Sequence, residues 1–303
     1  MNNKHYLAAV GSFMMWGTFS IALRAMAGYL PGTILYYRIL ISALLLAGVL
    51  LSFKRGAAAD NLRVFKALPP RRRMSVALNI TVGGLLLAVN WLVFIHVVNH
   101  VSIKTASFSY FICPVLTAVL AYLFLKEKLT RLQWLSVAVC AVSCLIIGKD
   151  SLKEAGYSLV IASSYAFYLI LQRRNQGLDK LVVLFLQVGT ALLIITPFYG
   201  QLVPDTPADG YFYAGAALIA LFFTVLPLNM QLFALQKLNS ATIGILMYIN
   251  PMMNFLIAVW VYHETIGVYQ GIGYVLILFA VVMYNYHTLL GWVKRKPGIP
   301  PVE

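Results

Sequence analysis

Long apolar runs alternate with short polar breaks along the whole chain, and the runs define the elements. Ten of them read as helices, at about 6–26, 33–53, 75–97, 103–125, 131–148, 156–174, 181–199, 211–236, 241–263 and 268–290. A helix that crosses a bilayer takes roughly 20 predominantly apolar residues. Ten such segments with short links nearly exhaust 303 residues. The expected fold class is therefore all-α, an integral membrane bundle of ten transmembrane helices with no soluble domain. The widest link, Lys54–Arg73, concentrates Lys54, Arg55, Arg63, Lys66, Arg71, Arg72 and Arg73.

One stretch, Ser107–Glu127, returns 137 positions later: Pro114 falls on Pro251, Thr117 on Asn254, Ala121 on Ala258, Glu127 on Glu264 and Gln133 on Gln270. Each proline sits at membrane depth, where it removes one backbone donor and frees the carbonyl four residues earlier, at Tyr110 and Met247. Loosened backbone at that depth is tolerated only where protein or a water-filled cavity satisfies it. Interrupted helices at matching places in two halves of a chain point to a transporter's binding site. Pro114 and Pro251 are thus expected as gating kinks. The division expected is a first repeat over residues 1–150 and a second, inverted in the membrane, over 151–303, five helices each.

Composition agrees: 61% of residues are hydrophobic, only 11% are charged, and the mean hydropathy is +0.83. A net charge of +14 would suit nucleic acid, but the basic residues sit between apolar runs, as topology signals do. With the N-terminus inside, Lys4, the Lys54–Arg73 cluster, Lys126, Lys128, Arg131, Arg173, Arg174, Lys180, Lys237, Lys294, Arg295 and Lys296 share one side. Arg24, Lys104, Lys149 and Lys153 lie on the other, and Arg38 falls within a helix. The expectation is a multi-pass protein of the inner, cytoplasmic membrane with both termini cytoplasmic. Its partners are then the lipid bilayer and a small-molecule substrate, and not nucleic acid. Ala25-Met26-Ala27 has the form of a signal-peptidase site, but only Lys4 precedes a long apolar run and Arg24 adjoins the site, so the first helix is expected to be retained. Gly267-x-x-x-Gly271 permits close helix packing, within one chain or between two as a homodimer.

Chemistry is sparse. Cys113, Cys140 and Cys144 are odd in number and all lie in apolar runs, with neither a disulfide framework nor zinc spacing. No metal, cofactor or catalytic residue is expected: there is no H-E-x-x-H, no phosphate-binding glycine loop and no pair of intramembrane aspartates. No Asp or Glu falls inside a predicted span, which disfavours carboxylate-based proton coupling. Facilitated diffusion or exchange fits better, with the halves rocking about a central site. A membrane-embedded enzyme or a ligand-binding receptor without solute flux are the alternatives.

The candidate substrate-binding residues are Arg38, Asn90, Trp91, Ser107, Tyr110, Thr117, Tyr248, Asn250 and Asn254. Arg38 reads either as a bidentate anchor for an anion or as a structural bond to backbone carbonyls or an interfacial anchor. Asn90 and Trp91 lie deep in one helix, where an amide needs a partner and an indole can stack on a planar solute or pack. Ser107, Tyr110, Pro114 and Thr117 share one helical face, as do Met247, Asn250 and Asn254, with Tyr248 and Pro251 alongside. Such faces line a cavity or join helices. Tyr168, Gln187 and Asn229 are further candidates for the lining, and Glu127 and Glu264 read as solvated helix-end residues.

The chain resembles the drug/metabolite transporter superfamily, with two EamA-type repeats, and within it the RarD branch of permeases. The resemblance rests on Asn90-Trp91, Phe94-Ile95, Asn99, Tyr110-Phe111-Ile112-Cys113-Pro114, Leu125-Lys126-Glu127-Lys128-Leu129 and Arg131-Leu132-Gln133-Trp134. It continues through Pro227-Leu228, Thr242, Gly244, Tyr248-Ile249-Asn250-Pro251 and Glu264, with Trp16-Gly17 and Arg38-Ile39-Leu40 added. Tyr37 stands where the branch usually has His, and Cys113 where it has Asn. The resemblance implies a ten-helix inverted-repeat bundle that moves small metabolites or drugs, often outward.

Overall fold

The structure is a computed structural model that describes residues 3–126, 128–174, 177–235, 237–238 and 246–286. Every regular element among the described residues is helical. The first membrane-length run is α1 (Asn3–Gly17) and α2 (Phe19–Ala25), interrupted at Thr18. Then come α3 (Pro31–Phe53), α4 (Ala57–Ala67), α5 (Pro70–His100), α6 (Ile103–Leu125), α7 (Arg131–Asp150) and α8 (Leu152–Arg174). α9 (Lys180–Ile195) runs through a short 3-10 turn into α10 (Tyr199–Leu202), and α11 (Gly210–Ala220) runs through a π-turn, Leu221–Val225, into α12 (Leu226–Leu235). α13 (Ile249–Trp260) and α14 (Val268–Tyr284) complete the described chain. Among the described residues seven runs are long and apolar enough to cross a membrane, and Arg131–Ile147, Ile249–Trp260 and Val268–Tyr284 are shorter apolar helices. The molecule is an all-α membrane bundle.

Three elements differ from the sequence reading. The basic link Lys54–Arg73 is not open chain: α4 occupies its centre with no buried residue, and α5 begins at Pro70, so Arg71–Arg73 extend that helix. α8 starts early enough to take Glu154 into its first turn. The third difference concerns Pro251. It was expected to bend the middle of a helix over 241–263, whose first residues lie outside those described. α13 instead begins at Ile249, so Pro251 sits in its first turn, where a missing N–H is tolerated. The Met247 carbonyl, expected free, accepts the Asn250 N–H at 3.3 Å. Pro114, by contrast, is held inside the continuous α6.

Local geometry recurs at the 137-residue spacing. Lys126 (φ 58°) and His263 (φ 50°) both adopt the left-handed conformation, each directly before a repeated glutamate. Gln133 Oε1 accepts the Thr130 N–H at 2.9 Å and Gln270 Oε1 accepts the Gly267 N–H at 3.3 Å. Both glutamines thus reach back to satisfy an otherwise orphaned donor at a helix start.

Apolar side chains fill two main cores, one around α3, α5, α9 and α11, the other around α6, α7, α8 and α14. Small residues set the closest approaches. A Cβ on Gly84 would lie 2.5 Å from the Gln187 carbonyl oxygen, so α5 and α9 touch there backbone to backbone. At Gly273 an added Cβ would collide with Ile147 of α7, and Ser143 Oγ donates to the Gly273 carbonyl at 2.6 Å. This, and not Gly271, is the close contact of α14, since a Cβ on Gly271 would meet only Ile266 at 3.7 Å. Outward, Leu44, Leu51, Leu145, Leu193, Val275 and Phe279 are exposed, an apolar mantle of the kind a lipid environment covers.

The two ends of the bundle are tied by carboxylates. At the end where α6 begins, Glu264 Oε1 accepts the Ile103 N–H at 2.8 Å and pairs with Arg24 at 3.1 Å, while Oε2 accepts the Lys104 N–H at 3.1 Å. Glu264 was expected to be solvated, but its side chain is only 13% exposed, because the dipole and free N–H groups of the α6 terminus draw it in. Glu127 lies outside the described residues. At the other end, Asp179 caps α9 through Leu181 N at 2.9 Å and pairs with Lys54 at 2.6 Å, tying α3 to α9.

Two stability predictions follow from this packing. Gly84→Ala should lower the thermal midpoint of the protein in detergent, because overpacking against backbone costs about 1–3 kcal/mol; an unchanged midpoint would show that α5 and α9 separate freely. Burial opposes ionisation of the Asp179 carboxyl, but the Lys54 hydrogen bond and charge, with the Val182 and Leu181 N–H groups, outweigh it and hold its pKa below the ordinary aspartate value. A lowered carboxyl pKa stabilises the fold above its unfolded value, and that contribution disappears as pH falls through the folded value. Asp179→Ala should therefore cost about 1 kcal/mol at pH 7. The gap to wild type should close at acid pH; a gap independent of pH would assign the effect to packing.

Candidate functional site

The site grows from a single buried cation. Arg38 lies on the inward face of α3 with Ile34, Leu35 and Ser42, and is 3% exposed. Pro227 supplies its setting. Without an N–H, that proline cannot serve the carbonyl four residues earlier, Phe223, and the π-turn Leu221–Val225 widens the helix at the same place. The Phe223 carbonyl is taken by Trp16 Nε1 at 3.0 Å and by Arg38 Nη2 at 3.5 Å, while Arg38 Nε donates to Thr224 Oγ1 at 3.1 Å. The guanidinium carbon lies over the Trp91 ring at 4.4 Å and over the Phe19 ring at 4.7 Å.

These contacts do not neutralise the charge. Desolvating an ion costs several kcal/mol even after relaxation, and desolvated cation–π contacts return about 2 kcal/mol each. The ion pairs among the described residues are Arg24–Glu264, Lys54–Asp179 and Arg63–Asp60, and none involves Arg38. Its Nη1 is buried without a hydrogen-bond partner. A cation that keeps an unused donor is thus among the residues lining a cavity of about 70 Å³.

Aromatic rings form an arc around that cavity. Phe223 stacks on Phe19 at 4.9 Å, Phe19 on Phe94 at 5.7 Å, Phe94 meets Tyr110 at 5.5 Å, Tyr110 meets Tyr165 at 5.7 Å and Tyr165 meets Tyr168 at 5.7 Å. Asn90 stands behind the arc, fully buried. Its amide donates to the Ile161 carbonyl at 2.9 Å and to Ser164 Oγ at 3.1 Å, and its carbonyl oxygen accepts the Tyr110 hydroxyl at 3.2 Å. It fixes the ring without touching the cavity. The remaining wall comes from Trp16, Leu87, Leu184, Leu228, Met247 and Asn250, with no carboxylate among the lining residues.

The sequence-predicted residues therefore separate. Arg38, Trp91, Tyr110 and Asn250 line one cavity, as does Tyr168. Asn90 supports from the next layer. Ser107 donates to the Pro251 carbonyl at 2.5 Å and joins α6 to α13, and Thr117 turns back to the Cys113 carbonyl at 2.8 Å. Asn254 donates to Asn250 Oδ1 at 2.7 Å and to the Trp16 carbonyl at 3.4 Å, and Tyr248 packs beside Phe111. Ser107, Thr117, Asn254 and Tyr248 are not among the residues lining this cavity: Ser107, Asn254 and Tyr248 meet neighbouring helices, the other use open to such a polar face, and Thr117 bonds within its own helix. Gln187 accepts from Gln172 at 2.9 Å and Asn229 bonds back to the Val225 carbonyl at 2.7 Å, so neither lines the cavity. Phe19, Phe94, Tyr165, Phe223 and Thr224 were missed. The signal for the last two was Pro227, to which the same missing-donor rule applies as to Pro114 and Pro251.

Known proteins fit this arrangement. The EamA-like transporter family matches residues 3–149 and 153–286. An uncharacterized transporter of Vibrio cholerae is 30% identical, with 94% of this chain and 93% of that protein covered. The uncharacterized transporter YojE of Bacillus subtilis is 27% identical over 91% of both chains, and the protein RarD of Escherichia coli is 28% identical over 92% of both. One solved crystal structure superposes with a TM-score of 0.63 over 96% of this chain and 99% of its own, at 16% identity, a likeness of fold alone. With a matching family across nearly its full length and relatives named as transporters, the chain belongs to the EamA-like transporter family and is a membrane transporter similar to the RarD branch.

Proposed function

We propose that the chain is a secondary transporter that carries a small metabolite or drug across the cytoplasmic membrane by alternating access, as an exporter or exchanger. The observation that carries this reading is the cavity at Arg38. Its wall draws Arg38, Trp91 and Tyr110 from before residue 150 and Tyr165, Tyr168, Phe223 and Asn250 from after it. In this reading the two halves are inverted repeats that rock about the cavity. The repeated left-handed residues Lys126 and His263 and the repeated glutamines support that division. The basic residues concentrated around Lys54–Arg73 support an orientation with that face, and both termini, in the cytoplasm. The tie between Glu264, Arg24 and the start of α6 then closes the outer face.

The absence of a carboxylate from the lining residues favours movement down the solute's own gradient over proton coupling. Purified protein in liposomes is expected to exchange a labelled solute, drawn from a panel of amino acids, nucleobases, sugars, organic acids and drugs, against its unlabelled copy. A pH gradient alone should not drive that solute uphill. Uphill uptake on such a gradient would contradict the uncoupled mechanism. Binding without exchange would favour a receptor, and covalent conversion of the solute an enzyme.

A further inference from the structure

The cavity has a chemical bias that fixes the kind of solute it accepts. We infer that it takes a small organic monoanion, whose single carboxylate docks on the free guanidinium edge of Arg38 and whose flat apolar body lies against the aromatic arc. This rests on the transporter reading above only for the claim that the bound solute is also moved.

The geometry of Arg38 selects the head group. Both Trp91 and Phe19 have the guanidinium carbon over their rings, and Nε is committed to Thr224. What remains is the edge formed by Nη1, buried and unpartnered, and Nη2, which spends one hydrogen on a long bond to Phe223. Two parallel N–H groups on one edge match the two oxygens of a carboxylate. Among the described residues no ion pair includes Arg38 and no acidic side chain lines the cavity, so the acceptor is left for the solute to bring.

The same inventory rejects other charge states. A cationic solute would meet the like charge of Arg38 with no carboxylate to receive it. A dianion would carry one negative charge too many for a single buried cation. A zwitterion would find its carboxylate partner, but its ammonium would have only ring faces, tyrosine hydroxyls and the Asn250 amide. A neutral solute would leave Arg38 uncompensated. The apolar body follows from the wall, where Phe94, Tyr110, Tyr165 and Tyr168 present ring surface next to the cation. At about 70 Å³ the cavity is about half the size of one that holds benzene. This conformation is therefore a closed one, and the solute enters as the surrounding helices part and uncover Nη1.

The test is a binding panel on the full-length protein in detergent, read by fluorescence of Trp16 and Trp91 and by thermal shift. The probes are phenylacetate, phenethylamine, phenylalanine and phenylacetamide, which keep the ring and vary the charge. Phenylacetate should bind at least about tenfold more tightly than the other three, as expected for one charge-assisted pair. Arg38→Lys should weaken it by about tenfold because the fork is lost, and Arg38→Gln should abolish it. Equal binding of the amine, the zwitterion or the amide by wild-type protein would overturn the proposal, as would no binding of phenylacetate; neither result depends on a variant folding. Phenylacetate that binds but does not exchange in proteoliposomes leaves the ligand class standing and removes transport. Exchange of another solute without phenylacetate binding removes the ligand class and leaves transport standing.

Discussion

A positive charge held in the middle of an apolar bundle is the constraint from which the rest of this structure follows. Arg38 can stay there because Trp91 and Phe19 offer their ring faces and Thr224 offers a hydroxyl. Phe223 adds a carbonyl that Pro227 has released from the helical ladder. None of these carries a counter-charge. The bundle is therefore built around an electrostatic demand that it does not itself meet, and a solute able to meet it has a reason to enter.

Around that point the fold divides its labour. Packing glycines such as Gly84 and Gly273 bring helices to backbone contact and make rigid pairs. Asn90, three hydrogen bonds deep, locks Tyr110 in the arc. At the ends, carboxylates meet helix N-termini: Glu264 binds the start of α6 together with Arg24, and Asp179 caps α9 while holding Lys54. Such contacts are polar, sit at the ends of the helices and can be remade. The apolar contacts between them cannot be exchanged as cheaply. The proposed rocking of the two halves would use that difference, with rigid pieces moving as the polar end contacts open and close.

Much of the helical plan could be read from the sequence, because a run of about 20 apolar residues leaves the backbone no alternative to a helix in lipid. Arg38, Trp91, Tyr110 and Asn250 could be named for the same reason: a polar or amphipathic group inside such a run must be satisfied by something. What the sequence did not separate has physical causes too. Ser107, Thr117 and Asn254 share a helical face with cavity residues, but periodicity says only that a face is buried: Ser107 and Asn254 bond to the Pro251 and Trp16 carbonyls of neighbouring helices, and Thr117 bonds back to the Cys113 carbonyl of its own. Phe19, Phe94 and Tyr165 carry no local mark, since an aromatic residue in an apolar run is ordinary until the tertiary fold gathers several into one arc. α4 was hidden because its short amphipathic pattern lay under the charge of its link.

The most direct test of the whole account is access to the cavity from both sides of the membrane. In a variant with Cys113, Cys140 and Cys144 replaced, a single cysteine at Asn250 can be challenged with a membrane-impermeant maleimide in right-side-out and in inverted vesicles. The proposed alternating access predicts labelling from both sides, because Asn250 lines the cavity that would open to each face in turn. Labelling from one side alone, or from neither, would contradict it.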